Sequence, residues 1–177
     1  MRAYPLPLTV VALVGTLLLG ACDSEGETDG AGAGSAAPGG ACGIGDVKIE
    51  AGPAAEAPAA GDTGNLPVTL TNQGAECVLD GFPGLRLESG QDAVDVPADK
   101  AATAQKLTLA KDTAATFTIT YVRGEKGGPG TVDATNVRLS LPGGDESTDL
   151  PWSYGPVAAA DGGAPDASVS AFQQAGD

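Results

Sequence analysis

Histidine is absent from this 177-residue sequence, and the absence removes whole classes of chemistry. There is no Ser-His or Cys-His catalytic pair, no imidazole general base and no imidazole metal ligand. Basic residues are scarce as well: 9 Lys+Arg stand against 23 Asp+Glu, a formal charge of −14. Nucleic acid is therefore not an expected partner, because binding its phosphates takes clustered Lys and Arg. Aromatics make up only 4% of the chain, so a core has to be assembled mostly from Val, Leu and Ile. No apolar run reaches the roughly 20 residues that span a hydrocarbon core. The length suits one domain of ordinary size.

The first segment has the build of a processing signal. Arg2 supplies a short positive region, and Leu8 to Leu19 is apolar, too short to span a bilayer but suited to a signal-peptide core. It ends in Leu19-Gly20-Ala21-Cys22, which resembles the bacterial lipobox. Small residues at 20 and 21 admit the chain to a peptidase cleft, and a thiol at Cys22 can accept a diacylglycerol by thioether formation. The resemblance implies residues 1–21 as a lipoprotein signal peptide and Cys22 as the lipid attachment site; a plain secretory signal is the simpler alternative. Two hydrocarbon chains suffice to hold a protein at a membrane where one does not. The expected location is the extracytoplasmic face of the cell membrane, with the membrane contacted through the lipid alone. Losing Arg2 with the signal leaves a still more acidic chain, and no basic patch assists the anchor.

Residues 22–41 carry Asp23, Glu25, Glu27 and Asp29, no basic residue, and then a Gly/Ala-rich run. Such a segment has nothing to bury and is expected to be a disordered tether, with an r.m.s. reach of about 25 Å. A partner-binding arm is the rival, but Gly/Ala repeats offer no anchoring side chains.

From Cys42 the texture changes to alternation with period 2, the mark of half-buried strands. Apolar residues alternate with polar ones at Val47/Ile49, Leu66/Val68/Leu70, Leu85/Leu87, Leu107/Leu109, Phe117/Ile119/Tyr121 and Val137/Leu139/Leu141. Turn sequences separate the runs: Asn72-Gln73-Gly74, Phe82-Pro83-Gly84, Gly127-Gly128-Pro129-Gly130 and Pro142-Gly143-Gly144. Pro83-Gly84 fits the two central positions of a type II turn. No 3.6-residue apolar stripe is sustained. These patterns predict an all-β fold: a single immunoglobulin-like antiparallel β-sandwich of about seven strands over residues 42–156. The tail, 157–177, returns to Ala/Gly/Asp-rich composition. It is expected to be disordered at least through Ala164, with Val169 and Phe172 able to add one edge strand.

With Cys22 assigned to lipid, Cys42 and Cys77 remain, an even pair in an exported protein, where thiols normally oxidise. Closing that loop would stabilise the fold by about 4 kcal/mol in the chain-entropy model, a large increment for so light a core. A redox-active or metal-binding thiol pair is the alternative, but the Cys-x-x-Cys spacing and any histidine are lacking.

Thr69-Leu70-Thr71-Asn72-Gln73-Gly74 followed by Cys77-Val78-Leu79-Asp80-Gly81-Phe82-Pro83-Gly84-Leu85 resembles the signature of domain of unknown function 4232, a module of secreted and lipid-anchored actinobacterial proteins. Cys42 matches the family's early cysteine. Lys106 to Leu109, Phe117 to Thr120 and Leu139 to Gly143 add looser matches. The additional late cysteines of many members are missing here, so one disulfide carries over. The resemblance implies a β-sandwich outside the membrane, and no known activity comes with it.

A search for chemistry yields little. Asp92, Asp95 and Asp99, and Asp145, Glu146 and Asp149, are acid clusters that lack the spacing of an EF-hand loop. No carboxylate pair or Ser-x-x-Lys motif stands out, and neither an enzyme nor a cofactor is expected. The candidate binding residues are Trp152 and Tyr154, read either as an exposed anchor for a glycan or protein or as a cap over the open end of the sandwich. Arg123 and Lys126 belong to a glycine-rich loop expected to be mobile and exposed. The expected function is a non-catalytic binding or interaction module. A passive envelope component is the alternative, with a secreted hydrolase a distant third.

Overall fold

The computed structural model describes residues 39–160 and 163–176. Eleven strands occur among them: Val47–Ala51 (β1), Thr63–Asn72 (β2), Cys77–Asp80 (β3), Gly84–Ser89 (β4), Asp92–Val96 (β5), Lys106–Leu109 (β6), Ala114–Val122 (β7), Asn136–Ser140 (β8), Ser147–Pro151 (β9), Ala167–Val169 (β10) and Gln173–Gln174 (β11). One 3-10 turn, Ile44–Asp46, is the sole helical element described. No helix among the described residues is long and apolar enough to cross a membrane.

The strands form three sheets, and every ladder between them is antiparallel. One sheet runs β1-β2-β7-β10, with β11 also on β7; a second runs β5-β4-β8-β9; a two-stranded ribbon pairs β3 with β6. Alternation explains why they stack. Leu66, Val68 and Leu70 of β2, Phe117, Ile119 and Tyr121 of β7, Leu85 and Leu87 of β4, and Val137 and Leu139 of β8 turn inward and are buried. Side chains from all three sheets join one hydrophobic cluster, giving the sandwich-like, all-β fold that the alternation predicts. The outward face of the second sheet is polar. Asp95, Arg86, Arg138 and Asp149 lie in one cross-strand row, with Arg86 bonded to Asp95 at 2.8 Å and Arg138 to Asp149 at 2.9 Å. Hydrogen bonding and proximity hold the exposed Arg138 above, and Asp149 below, their ordinary pKa values.

Two sequence expectations are corrected. The first concerns the tail, where Val169 does add an edge strand as expected but 157–160 are packed and not disordered. Val157 is fully buried and bridges Arg123 and Val132, while β10 and β11 lie end to end along the β7 edge that β2 leaves free. Where that ladder breaks, the Ser170 hydroxyl accepts the Thr118 N–H at 2.9 Å, and the chain turns Ala171 and Phe172 into the core. Phe172 meets Phe117 edge to face at 5.8 Å. The domain therefore runs well past Pro156. The second concerns Pro83-Gly84. Positive φ falls at Gly81 (118°) and not at Gly84, which opens β4 opposite Ser140.

Asn72, the one buried polar residue among those described, shows why the resembled signature carries an asparagine there. Its amide nitrogen donates to the carbonyls of Ala75 (2.8 Å) and Leu109 (3.0 Å), and its oxygen accepts the Gly74 N–H (2.9 Å). One side chain thus fastens the turn after β2 to the end of β6. Asn72→Asp keeps the size but loses both donated bonds and buries a charge beside the Leu109 carbonyl, so a destabilisation of about 3 kcal/mol is expected in urea unfolding, the stranded buried carbonyl alone costing roughly 1–3 kcal/mol.

Candidate functional site

β7 gives the molecule two distinguishable ends. At its Ala114 end, Asn72 N–H bonds the Thr113 carbonyl and the turn after Asn72 leads to Glu76, whose carbonyl accepts the Gly39 N–H at 2.9 Å. Two further bonds, Val78 N–H to Gly40 O and Cys42 N–H to Val78 O, lay Gly39–Cys42 along β3. The Cys42–Cys77 disulfide closes this strap, with both residues fully buried. The chain preceding the domain therefore enters at this end. Cys22, the signal segment and residues 22–38 of the tether lie outside the described residues.

The candidate binding residues gather at the other end, about 25 Å away by the rise of a nine-residue strand. Tyr121, buried at the close of β7, donates to the Tyr154 carbonyl at 3.1 Å and accepts the Ala57 N–H at 3.4 Å. Trp152 stacks edge to face between Tyr121 (5.0 Å) and Tyr154 (5.1 Å). Its indole N–H reaches the Gly155 carbonyl at 2.6 Å, a turn that Gly155 allows with φ 87°. Trp152 is only 6% exposed, so it caps the sandwich and presents little surface to a ligand. Burial, with Glu56 and Tyr121 nearby, pushes the half-buried Tyr154 hydroxyl above its usual pKa.

Gly64 is required beneath this cluster, because a Cβ there would stand about 2.5 Å from the Tyr121 ring. Gly64→Ala is expected to cost about 1–3 kcal/mol, as overpacking does, and to shift the near-UV circular dichroism of the aromatic cluster.

Arg123 is not a mobile loop cation. Its guanidinium donates to the Ala57 carbonyl at 2.8 Å and packs beneath Gly155. Its backbone joins Asp62 and Gly61, and it pairs with Val157. The loop beyond it is tied down too, by Gly124 N–H to Pro156 O and by reciprocal bonds between Val132 and Val157. Lys126 does stay exposed. It borders a shallow groove of about 470 Å³, together with Asp133, Thr135, Trp152, Ser153 and Pro156. The sequence had pointed to Lys126 and Trp152; Asp133, Thr135 and Ser153 carried no signal, since the groove forms only where the loops before β8 and after β9 meet.

The acid clusters are dispersed. Asp95 and Asp149 pair with arginines, Asp99 accepts the Ala101 N–H at 2.9 Å, and among the described residues no group of three or more His, Cys, Asp or Glu could hold a metal. Every buried side-chain nitrogen or oxygen among them has a hydrogen-bond partner. What the groove offers is a polar rim of one ammonium, one carboxylate and the Ser153 hydroxyl beside the largely covered edge of Trp152.

No curated protein matches the chain. Residues 42–173 match the family described as domain of unknown function (DUF4232), so the match takes in β10 and the first residue of β11, and the chain belongs to that family.

Proposed function

We propose that this protein is a lipid-anchored binding module on the extracytoplasmic face of an actinobacterial cell membrane, acting without catalysis. The observation that carries the reading is polarity. The strap from the preceding chain docks at one end of the sandwich, and the ordered groove bordered by Lys126 and Asp133 opens at the other. A partner at the groove, whether an envelope protein or a glycan, would meet a face turned away from the attachment. The buried Cys42–Cys77 bridge supports a location outside the reducing cytoplasm, and Leu19-Gly20-Ala21-Cys22 supports the anchor.

Two measurements test the two halves. Intact-mass analysis of the native protein is expected to find Cys22 as a diacylated N-terminus, and Cys22→Ser to release the protein from membranes; a bare residue 22 sinks the anchor. Residues 39–177, incubated with envelope extract and on a glycan array, are expected to retain a ligand that Lys126→Glu with Asp133→Lys displaces. Silence in both assays, beside an active control, favours the passive envelope component, a reading that the burial of Trp152 already supports.

A further inference from the structure

A second cleft, of about 480 Å³, lies between the segment before β6 and the segment joining β10 to β11. It exists because the tail is ordered. Asp99 N–H bonds the Val169 carbonyl at 2.8 Å and Val169 N–H bonds the Pro97 carbonyl at 3.0 Å, which hangs residues 99–105 alongside Ser170 to Gln174. The volume falls within the range of about 300–1,000 Å³ that small-ligand pockets occupy.

Its lining has a distinctive inventory. Gln105, Gln173 and Gln174 all border it, and none of these three carboxamides has a side-chain hydrogen bond to the described residues. Each offers two donors and an acceptor in one plane. Asp99 contributes a carboxylate whose second oxygen is unspent, its first being taken by Ala101 N–H. Half-buried Leu107 supplies an apolar patch beside the covered edge of Phe172, and no Lys or Arg lines the cleft. The charge balance is wrong for an anionic ligand, which would meet Asp99 with no compensating cation. Carboxamide donors and acceptors bordering one cleft suit a ring bearing adjacent hydroxyls, each hydroxyl both giving and accepting a hydrogen bond.

We infer that this cleft is a binding site for a neutral carbohydrate of one or two rings, with Gln105, Gln173, Gln174 and Asp99 as its hydrogen-bonding residues. The inference rests on reading the domain as a binding module and adds to the Lys126 groove a second site of its own, beside the Ala115 and Thr116 end of β7.

The test is a two-dimensional NMR titration of residues 39–177 with cellobiose, maltose and N,N′-diacetylchitobiose, with glucuronate as the anionic control. At least one neutral sugar is expected to shift the side-chain amide signals of Gln105, Gln173 and Gln174 and the backbone signals of 99–107 and 170–174. Glucuronate should leave them in place. Gln105→Ala with Gln173→Ala alters two exposed side chains, so it should unfold thermally as the parent does and lose the response. Silent glutamines, shifts confined to the Trp152 end, or a response that survives in the double variant would each overturn the assignment. If the glutamines stay silent while an envelope ligand is still displaced by the Lys126 and Asp133 changes, the binding module stands and this site falls.

Discussion

A chain ending at Pro156 is expected not to fold. It would lack Val157, Val169, Ala171 and Phe172, all members of the buried set, along with β10 and β11, which cover one edge of β7. β7 pairs with β2 over nine residues and carries the two largest fully buried side chains among the described residues, Tyr121 and Phe117. Opening its second edge would expose unpaired backbone beside apolar side chains, the arrangement that recruits other strands and aggregates. A graded version isolates the packing. Phe172→Ala removes the ring that meets Phe117 edge to face and is expected to cost about 3–5 kcal/mol, as large-to-small core changes do. Urea unfolding of residues 39–177 against Phe172→Ala, together with the amide spectrum of 39–156, is the measurement. A dispersed spectrum and a cooperative transition from 39–156 would show that the tail is dispensable.

The second large effect belongs to the disulfide. Cys42→Ala with Cys77→Ala is expected to lower stability by about 4 kcal/mol through loop entropy in the unfolded chain, within the roughly 2–5 kcal/mol that native bridges of small secreted domains contribute. The cost should be local as well as global, because Cys42 ends the strap whose three backbone bonds lie along β3. Amide exchange at Gly39, Val78 and Cys42 should accelerate in the double variant beyond what the change in global stability explains. Both cysteines are fully buried in the folded state, so reductant should act only as fast as the domain opens. An unchanged urea midpoint in the double variant, or rapid reduction of the folded protein, would contradict this account.

Strands that bury one face were legible as alternation, and β1, β2, β4, β6, β7 and β8 fall where Val47, Leu66, Leu85, Leu107, Phe117 and Val137 placed them. Two of those that were missed bury little of their own. β5 (Asp92–Val96) and β9 (Ser147–Pro151) are edge strands that are mostly exposed or half-buried, so pairing rather than patterning makes them strands. β3 is four residues long and is held by β6, the strap and the bridge. The tail misled because its small residues signal flexibility, while the partners that order it, Thr118, Val122 and Val132, sit far back in the chain. At the candidate site, the pairing of Trp152 with Tyr154 was legible in the sequence, but whether the ring is an anchor or a cap was not, since Tyr121, which covers it, lies about thirty residues earlier. The role of Arg123 was not legible either, since it clamps Ala57, 66 residues away. The amide-lined cleft was invisible for the same reason: Gln105 and Gln173 come to border one cleft only when the tail docks.

The positions of Gly39 and Ala175 have a practical consequence. Gly39 bonds Glu76 and Ala175 N–H bonds the Ala114 carbonyl, so both flanks of the domain emerge on one side. Affinity tags, fluorophores or surface-immobilisation handles fused to either flank crowd that side together and leave the Lys126 groove clear. Tandem copies spliced flank to flank would fold back as hairpins of domains, not extend as beads on a string.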